Sequence, residues 1–377
     1  MRLKYGYLPF LLILSLISCD KLDVDSSDFF LNPSGKILSL PIDSTTSNIS
    51  TGLVSFENYL VNVNWKSNSL QFFDLEKKKM MKEIFYQYEG PQGVGSLFGV
   101  HIQRLDSIYL FPQISNLITL TDTSGQILKR IEYKNPEIHT NAFVHNTYFL
   151  SPPLIKNNKL HVKTHVRGNY RAMTEEALAE SKLSYIINLN DSTVQPFDLH
   201  YPKGYLSQGS RHFEASISFQ PNYTVFSLFG DHRIFKQNHN DALETFEGKS
   251  KFLDESLPLF PKNGDRFETQ KYLMASSRYE SILHDPFREV YYRFAYPTLP
   301  IETEEELMTL RENPGPFIIQ VFDENLKLIT EKNFEGGIYF PNNSFVNKEG
   351  LFISINNPAN PASNEDSLQF ERIDLKN

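Results

Sequence analysis

A chain of 377 residues with 45 acidic against 37 basic side chains, a formal charge of −8, is a poor match for nucleic acid or an anionic lipid surface, since both select a basic face. Its single cysteine, Cys19, excludes disulfides, cysteine-ligated metals and thiol catalysis from the body of the protein, so stability rests on burial and backbone pairing. The 30 Phe and 19 Tyr residues supply that burial in a form that favours strands.

Arg2 and Lys4 precede an apolar stretch from Leu8 to Ile17, with no acidic residue before Asp20. This layout predicts a signal peptide over 1–18. The stretch is about half the ~20 residues a membrane-spanning helix needs. Leu16-Ile17-Ser18-Cys19 resembles the lipobox of bacterial lipoproteins. That resemblance implies cleavage before Cys19 and lipid attachment through its thiol, several acyl chains together making a stable anchor. Loss of the leader removes Arg2 and Lys4 and no acid, which takes the formal charge to −10. Residues 19–28 read as a polar tether. Its Asp20, Asp23 and Asp25 resemble the acidic export signals of surface lipoproteins in Bacteroidetes-type bacteria, and read equally as a solvated linker. The expected location is the cell envelope, anchored to the outer membrane and open to exposure at the cell surface.

From Phe29 onward, short alternating runs are broken every few residues by Asn, Asp, Gly or Pro. Tyr59-Leu60-Val61-Asn62-Val63-Asn64 and Gly350-Leu351-Phe352-Ile353-Ser354-Ile355 alternate as strands with one buried and one wet face. A weak repeat runs through the body: an apolar strand, an acidic or Asn turn, a second apolar strand. Leu70–Asp74 is answered by Met80–Ile84, and Ile118–Asp122 turns at Gly125 into Ile127–Ile131. Turn aspartates at 74, 122, 191, 241, 323 and 374 lie 48, 69, 50, 82 and 51 residues apart, so the unit is about 50 residues, the length of a four-stranded propeller blade.

The two long intervals hold residues 174–180 and 303–307, which read as short helices with Thr174 and Thr303 as N-caps and acids in the first turn. Lys36–Ile42 is placed to supply the outer strand of the last blade and close the ring. The expected fold is therefore all-β: one domain over 29–377, a six-bladed β-propeller closed by an N-terminal strand, with two short helical insertions. A pair of β-sandwich domains also has evenly spaced short strands, but leaves the recurring aspartate unexplained.

With the lipobox, the six weak blades, Glu89-Gly90-Pro91-Gln92-Gly93-Val94-Gly95 and Asp106-Ser107-Ile108-Tyr109-Leu110-Phe111, the chain resembles domain-of-unknown-function family 4221, propeller-like lipoproteins of Bacteroidetes. The resemblance implies the fold and carries over no catalytic residue.

Reactive motifs are scarce. Gly90–Gly95 lacks the Lys-Ser/Thr of a phosphate loop and reads as an interblade turn. His161 with His165 and His139 with His145 have ligand-like spacing but no carboxylate close in sequence, so no metal or cofactor is expected. Ser210-Arg211-His212-Phe213 echoes Ser277-Arg278-Tyr279-Glu280, each ahead of a strand that opens a blade. Such strands line the channel, so Arg211, His212, Arg278 and Tyr279 are candidate contacts for an anionic or sugar-like ligand. Trp65, the only tryptophan, is a candidate stacking platform for a sugar or protein, although core packing or covering of a hairpin is the favoured reading. Two functions follow: a binding or assembly module for a polypeptide or glycan, or a hydrolase or lyase working in the channel, with calcium as an optional aid. The first is favoured because no reactive motif stands out.

Overall fold

The computed structural model describes residues 29–169, 171–238 and 242–376. Six four-stranded antiparallel sheets form a propeller. The innermost strands are Leu53–Phe56, Leu97–Arg104, Leu154–Lys156, Ala215–Phe219, Arg278–Asp285 and Phe340–Asn347, for blades 1 to 6 in order. Blade 6 is completed by the N-terminal strand Phe30–Pro41, which pairs antiparallel with the last strand, Ser367–Lys376, from Phe30↔Lys376 to Pro41↔Ser367. The expected Lys36–Ile42 closure is thus met, by a longer strand than its sequence pattern delimits.

The core is a ring of layers between adjacent blades rather than one central mass. Val61, Val63 and Phe72 of blade 1 meet Val100, Ile102 and Leu110 of blade 2. Leu38 and Leu40 of the closing strand meet Phe345, Phe352 and Phe370 of blade 6 and Leu53 and Phe73 of blade 1. This arrangement corrects the expectation of one wet face. Leu60–Asn64 and Gly350–Ser354 are buried throughout, because a neighbouring blade covers each face. The polar members of such strands are satisfied internally: Asn62 Nδ2 donates to Gln71 Oε1 at 2.7 Å, and Gln71 Nε2 donates to Thr46 Oγ1 at 2.7 Å.

Asp74, Asp122, Asp191 and Asp323 sit at or just past the end of the third strand of blades 1, 2, 3 and 5, so the repeat legible in sequence is the outer hairpin. Asp122 shows why the residue recurs, since its carboxylate accepts from the Ser124 and Gln126 backbone N–H groups, and Gly125 takes φ +84° in the turn. Asp374 differs: it lies inside the third strand of blade 6 opposite Asn32, because the fourth strand of that blade comes from the N-terminal segment. Asp241 lies outside the described residues, as do the signal peptide, Cys19 and the tether. Gly90–Gly95 connects blade 1 to blade 2.

Among the described residues, three helices interrupt the strands where two were expected. They are α1 (Glu175–Ala179), α2 (Arg266–Ala275) and α3 (Glu304–Glu312). Thr174 caps α1, and Thr303 with Glu306 forms a capping box on α3. The added α2 carries a legible start, Asp265 accepting from the Glu268 N–H, but mixes polar and apolar residues without a stripe. The inner strands all begin on one face, here called upper. Links from second to third strands and from blade to blade return to that face in an antiparallel sheet. All three helices lie in such links and so sit on the upper face, while the aspartate turns lie on the lower one. Among the described residues, no helix is long and apolar enough to cross a membrane.

Candidate functional site

The link between blades 2 and 3 does not pass over the ring but enters it. Asn146 is bonded to blades 1 and 2, its carbonyl accepting from the Leu53 N–H at 3.0 Å and its side chain exchanging bonds with Val100 N and O at 2.8 and 3.0 Å. Leu150 N–H donates to Ser281 Oγ of blade 5 at 3.1 Å, and Ser151 Oγ accepts from the Ile217 N–H of blade 4 at 2.9 Å. Residues 143–151 therefore plug the axial channel. Gly99 permits it: a Cβ there would stand 2.0 Å from the Val144 carbonyl oxygen. Below the plug, the inner strands enclose a chamber of about 370 Å³ lined in part by His101, Gln220 and His284.

Above the plug, Tyr148 and Phe149 form a wall shared by two chambers that make one cleft. The first, about 510 Å³, is lined by Trp65, Phe98, Phe143 and His145, with Gln113 and Glu214 as polar members. Trp65 stacks on Phe98 with ring centroids 5.6 Å apart, and His145 meets Phe98 edge-on at 4.9 Å. Burial holds the His145 imidazole neutral, its pKa lowered to about 4. The second chamber, about 250 Å³, is lined by His212, Arg278, Glu280, Tyr296, Arg311 and Asn342, roofed by Leu273 and Met274 of α2 and Leu310 of α3. Phe149 holds φ +46°, an uncommon and strained conformation for a bulky residue, of order 1 kcal/mol or more, and its neighbours' bonds to blades 4 and 5 keep it there.

The electrostatics of the two chambers differ. Glu214 lies between Lys163, whose ammonium pairs with it, and His165, whose Nε2 is 2.9 Å from its Oε2. Burial opposes ionisation of Glu214, but Lys163 and His165 hold it well below the carboxylate range. Glu280 has no cation bonded to it: Asn342 Nδ2 donates at 2.7 Å, and the Tyr296 hydroxyl and Phe149 backbone complete its bonds. Burial pushes its pKa up to about 7. Arg278 spends Nη1 on the carbonyls of Met274 (2.8 Å) and Ser276 (3.3 Å), and its guanidinium lies 4.3 Å over the Tyr296 ring. Among the described residues, neither Arg278 nor Arg311 forms a salt bridge.

Of the residues singled out in the sequence, Trp65, His212 and Arg278 line the cleft. Arg211 and Tyr279 do not. The Arg211 guanidinium bonds Gly230 O and Gln208 Oε1, and the Tyr279 hydroxyl bonds His232 Nδ1 at 2.8 Å beneath the buried Arg293 guanidinium, 3.3 Å from its ring. Successive strand residues point to opposite faces, so Arg278 shares the cleft with Glu280 and excludes Tyr279. Glu280 closes the Ser277–Glu280 echo, and the strand period of two is the signal in the sequence that sets it beside Arg278. Tyr148, Glu214, Arg311 and Asn342 come from four distant segments and carried no local signal. The histidine pairs part: His165 joins Glu214, while the His161 ring packs edge-on to Phe197 at 5.3 Å. The His139 Nδ1 bonds the Glu137 carbonyl at 2.7 Å, far in role from His145. Among the described residues, no three His, Cys, Asp or Glu side chains converge as a metal site.

Comparison with known proteins agrees with this architecture. The family model described as Domain of unknown function (DUF4221) matches residues 15–333. A member of that family from Bacteroides vulgatus superposes with a TM-score of 0.79 at 24% identity, over 94% of this chain and 100% of its own. A protein of Bacteroides fragilis described as a candidate exported protein superposes with a TM-score of 0.54 at 11% identity, over 93% of this chain and 96% of its own. No curated protein matches the chain. The match of the family model over most of the sequence, on a six-bladed propeller, places this chain in the DUF4221 family.

Proposed function

We propose that the protein is an exported lipoprotein, anchored through Cys19 in the cell envelope at the outer membrane and displayed at its surface, whose propeller binds a glycan in the upper cleft. The observation that carries the binding reading is the shared wall: Tyr148 and Phe149, one of them strained, join a chamber of aromatic rings to a chamber of hydrogen-bonding groups. Aromatic faces suit the apolar face of a sugar ring, and Asn342, Gln113 and Glu280 suit its hydroxyls. Chambers of about 250 and 510 Å³ are the size of small-ligand pockets, whereas a polypeptide partner would call for a broad face of about 800 Å². The Bacteroides fragilis protein of similar fold, described as a candidate exported protein, supports a place outside the cytoplasm.

Anchoring and cleft are compatible. The closing strand begins at Phe30 on the lower face, opposite Lys376, so a tether from Cys19 joins the disc on the side away from the cleft. Mass spectrometry of membrane-extracted protein beside Cys19→Ala, with protease shaving of intact cells, tests the anchor. A lipidated Cys19 and a body removed by shaving are expected. Residues before Cys19 in the mature protein, or an unchanged Cys19→Ala variant, reject it. Calorimetric titration against an oligosaccharide panel and a peptide panel tests the ligand class, and binding of peptides alone rejects the glycan.

A second reading, a hydrolase or lyase, is favoured by one observation: the cleft holds two carboxyl groups pushed in opposite directions, Glu280 up to about 7 and Glu214 well down, as an acid and its ionised partner require. Release of products from a bound oligosaccharide, lost in Glu280→Gln, is the result that would replace binding with turnover.

A further inference from the structure

We propose that the Arg278 chamber is a carboxylate-recognition site, so that the ligand is an acidic glycan whose uronate carboxylate docks on Arg278 and Arg311 while a neighbouring ring stacks in the Trp65 chamber. The inference rests on the glycan reading of the cleft and names what that reading leaves open.

A partly buried arginine in a protein of net negative charge ordinarily finds a carboxylate, and 45 are available. Arg278 does not. It is oriented instead by the Met274 and Ser276 carbonyls and by the Tyr296 ring, contacts that fix the guanidinium while neutralising none of its charge. Only Nη1 is used in hydrogen bonding, and the planar fork suits two-point recognition of a carboxylate. Arg311, exposed on α3, brings a second unpaired guanidinium to the same chamber. Two cations in a chamber of about 250 Å³ call for an anion, and the adjoining aromatic chamber calls for a ring attached to it.

Glu280 would compete for the site when ionised. The groups facing it are Arg278 on its own strand, Tyr296 on the next strand, Asn342 from blade 6, and Tyr148 and the Phe149 backbone from the plug, with Arg311 lining the same chamber. None is a carboxylate. Burial favours its neutral form below neutrality, so there an acidic ligand meets arginines without a rival anion. Affinity for the acidic ligand therefore falls as the pH rises from 6 to 8.

The test is calorimetric titration of the mature protein with uronate oligosaccharides, the same oligosaccharides carboxyl-reduced to neutral sugars, and peptides ending in a free carboxylate. The expected result is acidic binding at least tenfold tighter than neutral, a preference lost in Arg278→Gln. Because Arg278 also holds the end of α2, Arg311→Gln provides a second variant at an exposed position, expected to weaken acidic binding more than neutral binding. Equal binding of acidic and neutral sugars, or acidic binding indifferent to both variants, overturns the carboxylate site and leaves the glycan reading standing. Binding of neither sugar overturns both. Peptide binding that depends on Arg278 moves the carboxylate to a different class of ligand and overturns the glycan.

Discussion

Asn342 of blade 6 donates its side-chain N–H to Glu280 of blade 5 across 2.7 Å, joining the inner strands of two blades at the floor of the cleft. This neutral bond, with the Tyr296 hydroxyl, satisfies the acid without bonding a cation, and burial outweighs the opposing pull of the nearby Arg278 on its ionisation.

The stability of the fold carries that signature. Glu280 has a folded pKa of about 7, above the ordinary 4.5, so the native state holds the proton more tightly than the unfolded chain, and stability falls as the pH rises from 4.5 through 7. The loss is up to about 3 kcal/mol. Glu280→Gln removes it, and is expected to stabilise the protein at pH 8 well beyond its effect at pH 5 in urea titrations. An equal effect at both pH values would show that Glu280 does not titrate in this window.

Glu214 and Lys163 behave in the opposite sense, as a buried ion pair whose partners need each other. Glu214→Gln leaves an uncompensated ammonium and should cost roughly 3–5 kcal/mol, while Lys163→Met with Glu214→Leu should recover most of it. Denaturant midpoints of the two single variants and the double variant decide this. A single variant within 1 kcal/mol of wild type would place the pair in a more solvated setting.

Gly99→Ala probes the plug. The added methyl would collide with the Val144 carbonyl, so the plug must shift, at roughly 1–3 kcal/mol for an overpacked site. Because Phe98 precedes Gly99 and stacks on Trp65, the emission of this sole tryptophan should change with the melting temperature. Unchanged melting and emission would mean that the 143–151 segment yields freely.

Leu40 is fully buried between the closing strand and its neighbours, and Leu40→Ala is expected to cost 2–5 kcal/mol by cavity formation. Removal of residues 29–41 exposes the edge of Ser367–Lys376, and self-association in size-exclusion chromatography is the expected outcome. A monomer that melts as wild type does would show the ring stable without its closing strand.

Anchorage predicts an orientation. In bilayers containing brominated lipid, a fluorophore at Ser124→Cys, in the lower turn of blade 2, should be quenched more than one at Glu305→Cys on α3, since the tether joins the lower face. Stronger quenching at position 305 would invert the disc and turn the cleft toward the membrane.

By itself, the sequence determined what depends on near neighbours. The aspartate turns follow from carboxylates reaching the backbone two to four residues on, the caps at Thr174 and Thr303 from first-turn hydrogen bonds, and the number of blades from a recurring hairpin. Closure by a strand from the N-terminus was legible in the apolar run Lys36–Ile42, which precedes the first blade. Only the tertiary structure decided which side chains meet. Tyr148, Glu214, Glu280, Arg311 and Asn342 are drawn together from five segments by the ring and its plug, and no local pattern encodes a bond such as that between residues 280 and 342. The ionisation of Glu280 and Glu214 was equally invisible, since two glutamates identical in composition part company only when one is buried beside an amide and the other beside an ammonium.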